Sequence, residues 1–319
     1  IAAAAAAPTT APATAPATQP AALVVRTVMP LGFEVHRGTT DGPPLLVANA
    51  APGFRPHVHP LYAPDGSGVL TQKPTKNYVH HCGLWFGLNN VIVNGKKLGF
   101  FYPNDAFDPK PMDPPKLEGG RVSWTVVDDW RPFDAKKNVA GPRVLTETQR
   151  WALTDRGSHY WLDLDQTLTA AGADVTFGKA DYGGLFVRLE DGSQIGARNS
   201  EGVVNTKTDR EAVEGKQARW LLLRDGGKTR GGKPAYVVLM DHKANAGHPV
   251  AWRQTGNHMG TSRCKTEEWT LKANESATSR YRILVATGEP DVAFVETVWQ
   301  DFVGGGAGTT NAAAGQNRP

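Results

Sequence analysis

Hydrophobic positions along this chain recur with a period of two far more often than with a helical period. Tyr160, Leu162, Leu164, Gln166 and Leu168 alternate with Trp161, Asp163, Asp165, Thr167 and Thr169. Val122, Trp124 and Val126 repeat the pattern against Ser123 and Thr125. Such alternation predicts half-buried strands. Further strands are expected over Leu23–Val28, Leu84–Val93, Leu185–Leu189, Trp220–Leu223, Ala235–Met240 and Tyr281–Val285. Turn pairs punctuate them: Asp65-Gly66, Asn94-Gly95, Asp191-Gly192 and Asp225-Gly226. Asn94-Gly95 has the composition of a type I′ hairpin turn. One helix stands out, Glu289–Val303. Glu289 and Asp291 would lie in its first turn, and Val295, Val298, Trp299 and Phe302 would form an apolar stripe plugging the edge or end of a sheet. Strands without βα alternation predict an all-β fold, a large antiparallel β-sandwich with one C-terminal helix.

Both ends break the pattern. Residues 1–22 are rich in Ala, Pro and Thr and read as a signal remnant and linker, which predicts a secreted or periplasmic protein. Residues 304–319 are Gly-rich and read as a disordered tail. A single domain is expected over residues 23–303. The 319 residues carry 35 Lys+Arg against 31 Asp+Glu, a net charge of +4 too mild and scattered for nucleic acid. No apolar run reaches the roughly 18 residues of a membrane span. Cys82 and Cys264 each lie within or beside a motif; they could pair, joining two parts of one site, or stay free.

Seven of the nine histidines sit in three short groups: His57/His59, His80/His81, and His242/His248/His258. Neighbouring residues of a strand face opposite ways. On a strand, therefore, His81 would enter a cleft while His80 packs, and His57 and His59 would share a face. A buried strand with its histidines bonded to backbone is the plainer alternative. Gly-x-Ser-x-Gly, Walker A, Gly-x-Gly-x-x-Gly and Cys-x-x-Cys motifs are all missing.

Four blocks carry a resemblance. They are Arg55-Pro56-His57-Val58-His59-Pro60-Leu61-Tyr62-Ala63-Pro64-Asp65-Gly66, His80-His81-Cys82-Gly83-Leu84-Trp85-Phe86-Gly87, Phe177-Gly178-Lys179-Ala180-Asp181-Tyr182-Gly183-Gly184, and Asp241-His242-Lys243-Ala244-Asn245 with His248-Pro249-Val250-Ala251-Trp252. In this order they resemble the PmoA-like family of secreted bacterial proteins, named after methane oxygenase and of unknown function. The resemblance runs from about Val28 to Val303 and implies a sandwich similar to the galactose-mutarotase supersandwich. The chain departs from that family at Asn77-Tyr78-Val79, where Asp-His-Pro is usual, and at Lys243, where proline is usual.

The candidate catalytic residues are His59, His81, Lys179, Asp181 and His242. The two histidines lead for acid/base work because imidazole titrates nearest neutrality. Lys179 and Asp181, two apart, could share a proton or hold sugar hydroxyls. Candidate substrate-binding residues are Arg55, Trp85, Asp241, Trp252, Asn257 and His258, the tryptophans as stacking walls for a sugar. The segments around His59, His81, Lys179 and His242 are expected to meet at one concave face. No cofactor is expected. Histidines at i and i+2 with a third from elsewhere are a weak metal signal, and no His-Glu-x-x-His occurs. The expected function is a secreted carbohydrate-active enzyme, a hydrolase, lyase or epimerase. The alternatives are a non-catalytic glycan-binding module and a metal-dependent oxidoreductase.

Overall fold

Two antiparallel sheets lie face to face in the computed structural model, which describes residues 21–28, 32–72, 76–102, 105–190 and 195–305. The first has eight strands in the order Leu23–Val28, Gly32–Arg37, Leu46–Asn49, His57–Leu61, Leu84–Leu88, Gly183–Arg188, His258–Thr261, Trp252–Thr255. The second has nine. Eight run in the order Ile195–Asn199, Trp220–Asp225, Ala235–Asp241, Ser276–Thr287, His159–Ala170, Leu145–Asp155, Arg121–Arg131, Ala106–Pro109, and Lys116–Glu118 pairs onto Arg121–Arg131. The all-β sandwich with a C-terminal helix is the predicted architecture. Of the expected ends, 1–22 and 304–319, residues 1–20 and 306–319 lie outside the described residues, while Gly304 closes the C-terminal helix.

The period-two pattern sets the inner faces. Tyr160, Leu162, Leu164 and Leu168 join Val122, Trp124 and Trp130 in the core between the sheets. Phe33 meets Trp124 edge-on at 5.2 Å, and Phe86 meets Trp130 at 6.2 Å, tying one sheet to the other. Polar residues on these inner faces need partners. Glu147 accepts from Trp130 Nε1, Gln149 Nε2 and Gln166 Nε2. Asp128, opposite Glu147 on the neighbouring strand, is fully buried with no cation paired to it among the described residues. Burial and Glu147 push its carboxyl up to about 9, with the Asp108 backbone opposing them only in part.

Two expected elements change. The run Leu84–Val93 is broken at Asn89-Asn90, where Asn90 takes a φ of 56°. Val91–Val93 then leaves for a four-stranded sheet with Lys96–Leu98, Val175–Phe177 and Trp269–Leu271. Asn94 and Gly95 both have positive φ, 49° and 75°, as a type I′ turn requires. The helix spans Val292–Gly304, later than expected. Asp291 is its N-cap, accepting from the backbone of Ala293 and Phe294, while Glu289 lies outside and pairs with Arg224. The helix covers a sheet face instead of plugging an edge. Val295, Val298, Trp299 and Val303 pack on Trp220, Tyr236, Val238, Met240 and Leu284 of the nine-stranded sheet. Phe302, assigned to the stripe, is only partly buried, and Val303 takes its place.

This helix does not reach the outer face of the eight-stranded sheet. A third apolar cluster lies there instead: Cys82, Trp85, Phe101 and Phe186, flanked by Phe54, Tyr102 and Tyr182. Cys82 and Cys264 are both buried and free.

Candidate functional site

Three neighbouring strands build the floor of this outer face. Leu84, Phe86, Leu185, Val187 and Met259 point into the core. The alternating positions Trp85, Phe186, Arg188 and His258 consequently point out. Register places Trp85 beside Phe186 and Arg188 beside His258. Gly260 sits opposite Phe186, and a Cβ there would lie 2.5 Å from the Phe186 ring.

The two adjacent histidines lie in a turn above this floor, closed by His81 N–H donating to Tyr78 C=O. Gly83 ends it with a φ of 74°, and a Cβ there would come within 2.5 Å of the Val58 carbonyl oxygen. Because the segment is not a strand, the expected opposition of His80 and His81 does not hold. Their rings meet edge to face at 4.2 Å. His81 lies between the Trp85 ring at 5.1 Å and the half-exposed Tyr78 ring at 5.2 Å, nearly parallel to both. His258 is 5.3 Å from His81, and His80 is 4.8 Å from Tyr102.

Arg188 Nη1 bonds to Nδ1 of His81, and its guanidinium stacks over Tyr78 at 4.5 Å. A guanidinium only donates. Nδ1 must therefore accept, which puts the His81 proton on Nε2. Burial, then His80, His258, Arg188 and Arg55, push His81 down to about 2. Burial and the two arginines Arg55 and Arg188 bring His80 down to about 4. His258 is also brought to about 4, by burial, Arg188 and Arg253, with Glu214 pulling the other way. All three imidazoles are neutral at pH 7. Among the described residues, none bonds to the ring nitrogens of His80 or His258.

A polar rim continues from Tyr182, which packs on Phe101 at 5.3 Å. Arg253 stacks on Tyr182 at 4.8 Å and donates to its hydroxyl and to Glu214. Lys265 bridges Glu214 at 2.8 Å and Asp181 at 3.1 Å. Burial works against ionised Glu214, but bonds from Lys265, the Gln254 backbone and Arg253 prevail and hold its carboxyl below the usual range.

The structure brings some of the candidate residues together and disperses others. His81, Trp85 and His258 share the site. His59 lies beside Gly83, with Nδ1 bonded to Thr71 Oγ1 at 2.9 Å. Asp181 is at the rim, paired with Lys265; Lys179 is exposed and does not pair with it. Trp85 is 1% exposed and faces His81, so its ring supports the histidine and is closed to a sugar. Its indole N–H is buried without a partner among the described residues. Arg55 is buried behind the site, donating to Phe101 C=O and stacked on Phe107. Asn257 is buried and donates to Leu189 C=O, fixing the strand before His258.

Asp241, His242 and Trp252 do not join the site. Asp241 is buried at the end of the nine-stranded sheet and accepts from Asn245 and His248. His242 packs on Phe302 of the helix at 4.9 Å. Trp252 is fully buried in the inter-sheet core, bonded to Ala218 C=O. The common concave face expected for His59, His81, Lys179 and His242 is thus corrected: His242 belongs with the helix of the other sheet. Tyr78, Tyr102, Tyr182, Arg188, Glu214, Arg253 and Lys265 were not foreseen. Only Arg188 carried a signal, a lone charge in the apolar run Leu185–Leu189.

Among the described residues, no three His, Cys, Asp or Glu side chains are placed to hold a metal ion. No helix among them is long and apolar enough to cross a membrane.

The model of a family of unknown function, DUF6807, matches residues 45–300. No curated protein matches the chain. Among solved structures, the chain is similar to a galactose mutarotase-like protein from Clostridium acetobutylicum, at 11% identity and TM-score 0.44, covering 84% of this chain and 99% of that one. It is similar to a heparan sulfate lyase from Pedobacter heparinus, at 8% identity and TM-score 0.35, covering 82% of this chain and 34% of the lyase. It is also similar to a GH36 alpha-galactosidase from Geobacillus stearothermophilus, at 10% identity and TM-score 0.33, covering 69% of this chain and 32% of that one.

Proposed function

The chain belongs to DUF6807, a family of unknown function, and we propose from its site that it is a carbohydrate-active enzyme moving a proton on a sugar, in the manner of an epimerase or lyase. One observation carries the reading: His81 is a neutral Nε2–H donor, set by Arg188, beside two imidazoles whose nitrogens make no hydrogen bond among the described residues. A neutral imidazole fixed as a donor polarises a substrate oxygen. His258, neutral at pH 7 and half-buried, is the candidate general base. Tyr102 and Tyr182 offer ring faces at the sides.

Hydrolysis by paired carboxyls fits this face less well. It needs one carboxylic acid kept protonated, whereas Glu214 is held ionised and shares Lys265 with Asp181. The oxidoreductase reading attached to the PmoA-like name needs a donor set that the described residues do not assemble. A glycan-binding module without turnover is favoured by one feature: Tyr78 covers His81 where the resembling family has histidine. The Ala/Pro/Thr-rich composition of residues 1–22 motivates an exported location as part of the proposal.

An oligosaccharide panel assayed for products, with and without chelator, tests the reading. Epimerised or unsaturated products, insensitive to chelator and lost in His258→Gln, are expected. Binding without product would leave the module, and oxidised product abolished by chelator would replace the proposal with the oxidoreductase.

A further inference from the structure

Building on the carbohydrate reading, we infer that the face around His80, His81 and His258 receives the acidic group of an anionic sugar, a uronate carboxylate or a sulfate ester. The charge layout points this way. Arg188 touches His81, and Arg253 stands behind Tyr182. The carboxylates at the rim, Glu214 and Asp181, are both bound by Lys265, and Glu214 also by Arg253. The ring nitrogens of His80 and His258 have no protein partner among the described residues. An arriving anion can accept from His80 once that ring is protonated, making charge-assisted bonds that a neutral hydroxyl cannot match, while His258 stays neutral as the candidate base.

Burial is the first reason that these rings are neutral beforehand, and neighbouring charges add to it. His80, His258, Arg188 and Arg55 all disfavour a charge on His81. Arg55 and Arg188 do the same to His80. Arg188, Arg253 and His80 do so to His258, and Glu214 opposes them. A bound anion offsets the repulsion from these cations, so binding takes up protons and tightens as pH falls.

Three sugars differing only at C6, D-glucose, D-glucuronate and D-glucose 6-sulfate, and inorganic sulfate as a fourth probe separate the outcomes. They are titrated calorimetrically into the full chain at about pH 5.5 and about pH 7, in two buffers of different ionisation enthalpy. D-glucuronate or D-glucose 6-sulfate should bind at least about tenfold tighter than D-glucose at the lower pH, with proton uptake. Whichever binds identifies the acidic group. His80→Gln should reduce both the affinity and the protons taken up. Equal binding of D-glucose and its acidic analogues, or binding without proton uptake, overturns the inference and leaves the carbohydrate reading standing. Binding of inorganic sulfate with none of the sugars overturns both.

Discussion

Arg188 and His81, 107 residues apart in sequence, are joined through Nη1 and Nδ1, and this bond decides which nitrogen of His81 carries its proton.

Arg188→Met keeps a long buried side chain and removes the donor. In the wild-type protein, long-range nitrogen–proton NMR correlations should show His81 as the Nε2–H tautomer at pH 7. In the variant the ring loses that preference, and its pKa moves up from about 2, remaining below 6.5 because burial is the largest cause of the shift. An unchanged tautomer and titration would show that Arg188 does not set them.

Stability should peak near pH 6.5. His57, His80 and His258 sit at about 4 in the folded chain and His81 at about 2, against 6.5 unfolded. The unfolded chain therefore takes up these protons first as pH drops. Stability falls from 6.5 toward 4, at up to about 1.4 kcal/mol per pH unit for each group. Asp128, raised to about 9 from 3.8, has the opposite sign: the folded chain keeps the proton, and stability falls as pH rises from 3.8 to 9. It cancels one histidine below 6.5, and Glu147, also raised, adds to it. Above 6.5 the histidines are silent and Asp128 continues. Urea melts from pH 4 to pH 9 give the curve, and a maximum at either extreme would refute the assignment.

Asp128→Asn isolates the alkaline limb. The amide cannot ionise, so the decline between pH 7 and pH 9 should flatten. At about pH 5 the variant escapes only the loss between 3.8 and 5, about 1.6 kcal/mol, which the unpaired amide offsets at a cost on the order of 1–3 kcal/mol. A decline as steep as that of the wild type would place the responsible group elsewhere.

Gly83→Ala tests the turn that carries the histidines. The new Cβ meets the Val58 carbonyl at 2.5 Å in a backbone region with φ of 74°. A loss on the order of 1–3 kcal/mol is expected, with the His81 resonances displaced. An Ala variant as stable as the parent, with those resonances unmoved, would mean that the turn is not held as described.

What could be read from the sequence was what is local. Alternation placed Tyr160 to Leu168 on the right face because a strand's period belongs to its own residues, and Asn94-Gly95 announced a turn that needs two positive φ angles. The candidate site was legible in part. His81, Trp85 and His258 were singled out for their residue types and clustering, and they do converge. Asp241 and Trp252 looked equivalent to them, yet one ends a strand beside the helix and the other fills the core. Which layer of a sandwich a strand end meets is a tertiary fact. The histidine pair was placed on a strand, where neighbours diverge, whereas a turn brings their rings together. Glu214 and Lys265 lie in irregular or short segments with no periodicity to mark them.

The strand Ser276–Thr287 lies between Ala235–Asp241 and His159–Ala170, so it joins the two halves of the nine-stranded sheet although it is the last strand among the described residues. During synthesis the earlier strands of each half emerge well before their common neighbour. The growing chain must carry two unpaired inner edges until residue 287 leaves the ribosome. Its apolar back is sealed later still, by the helix that follows.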